Sequence, residues 1–206
     1  MHSPASVVVP VRAFEGAKSR LSAVLSPAER AALAERLLRR LVAVARGAEG
    51  VTEVIVVSAD AAVLAVAAQT GARPLPQQTR GLNPALDEAR LAATGARVLI
   101  LPGDLPAVSG ADIAAVLAAG DAAGSPSVVA VPDRHRRGTN ALLLDPPTAI
   151  DPAFGGDSRT GHAWLATSAD VHYVELAGLP GLDLDVDTPD DLVLAQAIAP
   201  EAVHVR

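Results

Sequence analysis

The sequence predicts an α/β fold: a mainly parallel, twisted sheet flanked by helices, with an antiparallel addition. Three observations carry this. Short runs of Val, Ile and Leu bounded by turn residues recur as strands buried on both faces. Segments with helical periodicity and recognisable caps alternate with them through the first two-thirds of the chain. Beyond residue 127 the strands follow one another more closely, which predicts the antiparallel part. The 206 residues fit a single domain with a sizeable core.

Val7–Val11 reads as the first strand, and Arg12–Leu21 as a loop carrying three cations. Ser26-Pro27-Ala28-Glu29 is a capping box with Pro at the first helical position. Leu33, Leu37, Leu38, Leu41, Val42 and Ala45 then keep helical spacing towards Gly47. Val54–Ser58 is a second buried strand, Asp60–Thr70 a short helix closed by Gly71, and Ala72–Pro76 a brief third strand. A polar link, Gln77–Pro84, leads into a helix over Ala85–Thr94, with Asn83 placed either to cap it or to read a base. Val98–Leu101 is the fourth strand, and Ser109 caps a helix over Ala111–Ala119. Strands at Ser127–Pro132 and Gly138–Leu144 flank a charged turn, Asp133–Arg137. Phe154–Ser158 is glycine-rich and opens a helix over Thr160–Ala166; Val171–Leu176 is a late strand. Thr188 caps a last helix, whose first turn holds Pro189, Asp190 and Asp191; acidic residues there suit the helix macrodipole.

Composition excludes several classes of function. Half of the residues are hydrophobic but only 2% aromatic, so the core is Ala, Val and Leu. No window approaches the roughly 18 apolar residues of a membrane span, and Met1 to Val7 does not read as a secretory signal; a cytoplasmic protein is expected. Absence of cysteine rules out disulfides, thiolate metal sites and cysteine nucleophiles. A net charge of -6 argues against a nucleic-acid partner and requires a local cationic pocket for any anionic substrate.

The chemistry-bearing stretch is Val98-Leu99-Ile100-Leu101-Pro102-Gly103-Asp104. A buried strand breaks at Pro-Gly and delivers one carboxylate just past its carboxyl end, where ligands of open α/β sheets collect. Asp104 there is either the holder of a cation against a phosphate or a turn residue. Arg12, Lys18 and Arg20 fall within nine positions after the first strand, a pattern that suits a polyphosphate, although no Walker A loop is present. Lys18 is the single lysine among 17 cationic residues. In Leu184-Asp185-Val186-Asp187 the period of two puts both carboxylates on one side of an extended segment. A Mg²⁺ shared between these and Asp104 would turn their repulsion into attraction.

Taken in order, Ala-Lys-Ser-Arg-Leu, Leu-Ser-Pro-Ala-Glu-Arg, Gly-Leu-Asn, Leu-Pro-Gly-Asp-Leu-Pro, Gly-Thr-Asn-Ala-Leu, Phe-Gly-x-x-Ser-x-x-x-His and Asp-Val-Asp-Thr-Pro-x-Asp-Leu form a recognisable series. The series resembles the guanylyltransferases of coenzyme F(420) biosynthesis, which join GTP to 2-phospho-L-lactate or phosphoenolpyruvate. The resemblance implies one nucleotidyltransferase domain over 1–206, with its core at about 7–197. It implies that Arg12, Lys18 and Arg20 face the GTP phosphates, with Lys18 and Asp104 catalytic, and that Gly81 and Asn83 lie on the guanine side. It implies Asp104, Asp185 and Asp187 as Mg²⁺ ligands. Thr139, Gly155 and Ser158 would bind the small phosphorylated carboxylic acid, with His162 nearby as an orienting or packing residue rather than a base. The chain departs from the family pattern at Asp157 and Arg159, which stand inside the acceptor loop. Asp157 then either turns to solvent or opposes an anion, and Arg159 either pairs with it or meets the acid.

The implied reaction is attack by the acceptor's phosphate oxygen on the α-phosphorus of GTP, with pyrophosphate leaving. A phosphate is already a competent nucleophile, so positioning and charge neutralisation carry the catalysis. Two other readings stand beside this one: a nucleotidyltransferase that loads molybdopterin or a sugar phosphate, and a non-catalytic nucleotide-sensing module on the same scaffold.

Overall fold

The computed structural model describes residues 3–204. Its strands are β1 (Ala5–Pro10), β2 (Val51–Ser58), β3 (Arg73–Pro76), β4 (Arg97–Ile100), β5 (Ser127–Pro132), β6 (Thr139–Asp145) and β7 (His172–Glu175). The main helices are α1 (Pro27–Gly47), α2 (Ala61–Gln69), α3 (Leu82–Ala92), α4 (Gly110–Ala123) and α5 (Ser158–Ser168). After β7 come α6 (Pro180–Asp183), α7 (Pro189–Ile198) and α8 (Pro200–Val203).

The strands form one seven-stranded sheet in the order β3-β2-β1-β4-β6-β5-β7. β1 pairs parallel with β2 and with β4, while β6 runs antiparallel to both β4 and β5. The antiparallel component is therefore a strand set inside the sheet. Its direction brings Thr139, the first residue of β6, to the edge where β5 ends: Thr139 pairs with Pro132, and Leu142 with Ile100. The chain goes to opposite sides of β1 for β2 and β4, so a topological switch point lies at their carboxyl ends.

Residues alternate between the two faces of the sheet. Val7 and Val9 of β1 pack with Leu38 and Leu41 of α1, Val63 of α2 and Ile113 of α4. Val8 turns the other way, towards Leu86 of α3 and Ala166 of α5. Leu38 and Leu41 are fully buried, and truncating either to Ala is expected to cost about 2–5 kcal/mol. Ser26 and Glu29 form the capping box of α1; Asp60 caps α2, and Ser109 with Asp112 caps α4. Thr188 caps α7 with Asp191 as its reciprocal partner. The helix expected from Ala85 instead begins at Leu82, and Gly81 is its cap, at φ 114°. Asn83 thus lies inside the helix and does not cap it.

Candidate functional site

The loop after β1 is anchored from below. Phe14 is buried in the core and Leu21 fully so, with Glu15, Gly16, Ser19 and Arg20 exposed between them. Arg30 of α1 donates from Nε to the Ala17 carbonyl at 3.2 Å. The next residue, Lys18, is held in the left-handed region at φ 52° and ψ 42°. That conformation costs a residue with a side chain roughly 1–2 kcal/mol. It accompanies an ammonium placed 2.5 Å from Asp104 Oδ2 and 3.1 Å from Asp187 Oδ1. The Lys18 side chain is only 10% exposed. Burial alone would lower its pKa, but Asp104 and Asp187 more than reverse this and raise it.

Asp104 reaches this point because Gly103 lets the exit of β4 lie against β1: a Cβ on Gly103 would stand 3.1 Å from Val11 Cγ2. The opposing segment is built as its alternation predicts, with Leu184 and Val186 buried and Asp185 and Asp187 on the open side. Val186 N–H donates to the Asp104 carbonyl at 3.2 Å, locking the two stretches together. One carboxylate oxygen from each of Asp104, Asp185 and Asp187 lies within 4.8 Å of the others. Burial first, then the charges of Asp104 and Asp187, push the Asp185 carboxyl up to about 6. Asp104 Oδ1 is buried with no hydrogen-bond partner. A hard-oxygen donor set with an orphaned carboxylate oxygen and mutual repulsion fits a divalent cation such as Mg²⁺. Arg20, 73% exposed, reaches Asp187 at 3.4 Å.

Asn140 also belongs to this group and was not singled out in the sequence. It is buried on β6 and donates from Nδ2 to the Leu182 carbonyl at 2.9 Å and to Asp185 Oδ1 at 3.4 Å. A buried Asn beside Thr139 is the only local signal; its partners lie more than forty positions away.

Beside the acidic group, a cleft of about 320 Å³ opens at the ends of β1 and β2. Its lining includes Val11, Arg12, Gln77, Gly81 and Leu82. Arg12 is exposed there and Gly81 stands at its rim, where Gln77 donates to the Gly81 carbonyl at 2.9 Å. Asn83 points elsewhere: its Oδ1 accepts from Phe154 N–H at 2.8 Å and its Nδ2 donates to the Phe154 carbonyl at 3.0 Å. The guanine-side residue of the sequence reading is thus a two-point clamp on the glycine-rich loop.

That loop leads into a second cluster. Thr139, Ser158 and His162 are all buried. Ser158 Oγ lies 3.3 Å from Thr139 Oγ1, which lies 3.1 Å from His162 Nδ1, and His162 Nε2 accepts from Ala153 N–H at 3.1 Å. Burial lowers the His162 pKa to about 4, so the ring is neutral near pH 7 and weakly basic. Gly155 and Gly156 are exposed, at φ 108° and 51°. Asp157 turns to solvent, accepting from the Thr160 hydroxyl at 3.1 Å. Arg159 pairs with Glu175 at 2.7 Å rather than with Asp157.

A sheet of this order, with a cation-bearing loop, a carboxylate trio and a cleft gathered at its switch point, defines a nucleotidyltransferase. A nucleotidyl transferase from Methanothermobacter has the same fold, with a TM-score of 0.67 at 17% identity, covering 98% of both chains. Within that class, the chain belongs to the family described as Guanylyl transferase CofC like, which matches residues 5–196. A relative from Rubrobacter xylanophilus, named phosphoenolpyruvate guanylyltransferase, is 46% identical over 194 residues, covering 92% of each chain. Another of that name, from Conexibacter woesei, is 42% identical over 209 residues, covering 97% of this chain and 92% of its own.

Proposed function

We propose that this chain joins the GMP moiety of GTP to phosphoenolpyruvate with release of pyrophosphate, in coenzyme F(420) biosynthesis, and that it works in the cytoplasm where both substrates occur. The observation that carries the reading is the meeting of Lys18 with Asp104 and Asp187, and of Asp185 with both carboxylates, at the switch-point edge. The names of the relatives supply the nucleotide and the acid.

GTP lies with its base towards the Gly81 side of the cleft and its phosphates towards Arg12, Lys18 and Arg20. Asp104, Asp185 and Asp187 would hold Mg²⁺, which when bound supplies charge neutralisation to the reacting phosphates. Lys18 then exchanges carboxylate contacts for phosphate oxygens, as a compact point charge can. Thr139, Ser158 and the Gly155 backbone hold the carboxylate end of the acid. The acceptor's phosphate oxygen displaces pyrophosphate in line at the α-phosphorus. No side-chain base is needed, and both ring nitrogens of the buried His162 are already engaged by Thr139 and Ala153.

Pyrophosphate release is the test, measured with GTP, Mg²⁺ and a panel of phosphoenolpyruvate, 2-phospho-L-lactate, a sugar phosphate and molybdopterin. Release with phosphoenolpyruvate is expected. Turnover of only the sugar phosphate or molybdopterin, or GTP binding without turnover, would overturn the assignment.

A further inference from the structure

The Thr139–Ser158–His162 cluster has a fixed supply of protons, and counting them assigns a role to His162. His162 Nε2 lies 3.1 Å from Ala153 N–H, a group that only donates. Nε2 must therefore be the bare nitrogen, since an N–H there would leave two buried donors facing each other with neither satisfied. A neutral imidazole carries its one proton on the other nitrogen. Nδ1–H thus donates to Thr139 Oγ1 at 3.1 Å, and the ring cannot accept the threonine's proton. Thr139 and Ser158 have one hydroxyl proton each, and their 3.3 Å contact uses one of them. The other has no acceptor among the described residues.

We propose that His162 is a positioning residue that touches no substrate: its Nδ1–H makes the Thr139–Ser158 hydroxyl pair a net hydrogen-bond donor, which selects an anionic oxygen of the acceptor over a neutral or donor-bearing group. This rests on the reading of Thr139 and Ser158 as acceptor-binding. The setting agrees with it. Ser158 opens α5 one residue beyond the exposed Gly155–Gly156 pair, with Asp157 between, and the N–H groups of Gly155 and Gly156 donate to no backbone acceptor among the described residues. Two exposed backbone donors thus precede the buried Ser158 by three and two positions.

Two substitutions separate the nitrogens. The amide of Asn reaches about where Nδ1 stands and can still donate to Thr139; the amide of Gln reaches about where Nε2 stands and serves Ala153 instead. His162→Gln is expected to raise the phosphoenolpyruvate KM roughly tenfold to a hundredfold, the worth of a hydrogen bond to a charged group, with the GTP KM unchanged. His162→Asn should restore most of that loss. Preference for phosphoenolpyruvate over its carboxamide should shrink in His162→Gln and persist in His162→Asn. In a Thr139→Val background His162→Gln should add nothing further. Equal losses in both variants with both KM values moving together, or an undiminished effect in the Thr139→Val background, would overturn the proposal.

A measurement on the unmodified protein needs neither turnover nor a stable variant. Nitrogen-15 NMR of labelled histidine near neutral pH should show His162 as the Nδ1–H tautomer, and an Nε2–H signal would overturn the proposal. Absence of turnover with any phosphorylated acid, alongside an Nδ1–H signal, would instead sink the functional reading and leave the proton arrangement standing.

Discussion

The acidic group and the hydroxyl group lie at the same edge of the sheet and are built on opposite principles. Asp104, Asp185 and Asp187 are partly exposed, mutually repulsive and left with a buried orphan oxygen, so the protein alone does not satisfy them. Lys18 relieves two of them at 2.5 and 3.1 Å. Thr139, Ser158 and His162 are neutral and buried, with their bonds closed except for one proton. Unbalanced charge characterises one region, while closed hydrogen bonding characterises the other. The first should therefore respond to metal and charge, and the second to shape and tautomer.

Breaking the charged region has the largest expected effect. Asp104→Asn keeps the shape but removes the charge; turnover should fall about 10³-fold, roughly 4 kcal/mol at the transition state, with Tm little changed. Near-normal pyrophosphate release at saturating Mg²⁺ would reduce Asp104 to a turn residue.

Lys18→Ala sharpens the comparison by removing the protein's own counter-ion. GTP turnover should drop, yet binding of Mn²⁺ alone, followed by paramagnetic resonance without nucleotide, should tighten about tenfold, or about 1.4 kcal/mol. Unaltered Mn²⁺ affinity would mean that the ammonium and the metal do not compete for the carboxylates.

Acid titration should set the two regions against each other. The unfolded imidazole protonates near pH 6.5 and the buried His162 at about 4, so its contribution to stability is full above pH 6.5 and is lost as pH falls towards 4. Asp185 has the opposite sign: raised from 3.8 to about 6, it favours the folded state at low pH and loses that contribution as pH rises through the same window. Denaturant melts of His162→Gln from pH 6.5 to 4 should lose less stability on acidification than the parent, by up to roughly 3 kcal/mol. An identical pH slope would mean that the ring is solvated.

Asp157→Gly should matter least. Its carboxylate faces solvent, makes no helix-capping bond and, among the described residues, accepts a side-chain hydrogen bond from Thr160 alone. Stability should stay within about 0.5 kcal/mol, and the phosphoenolpyruvate KM should hold or improve slightly. A large rise in that KM would show the carboxylate reading part of the acid.

Much of the frame was legible because its signals are local. All seven expected strands are present, and the Ser26, Ser109 and Thr188 caps hold as read. The alternation at Leu184–Asp187 placed its two carboxylates on one side, as period two requires. Nothing local, however, places β6 between β4 and β5, because strand order depends on which faces meet. The polar run Gln77–Pro84 hid the start of α3, since Gly81 caps by conformation rather than with a side chain. Asn83 and Asn140 bond across 71 and 42 positions, and no spacing rule reaches that far.

The Asn83 clamp ties α3, which walls the cleft proposed for the nucleotide, to the backbone just before the glycine turn proposed for the acceptor. Two binding events that share such a joint are subject to thermodynamic reciprocity: any factor by which GTP changes affinity for the acid, the acid must return in affinity for GTP. Removing the clamp would lower both halves of that exchange together, so the two substrates would begin to bind as strangers.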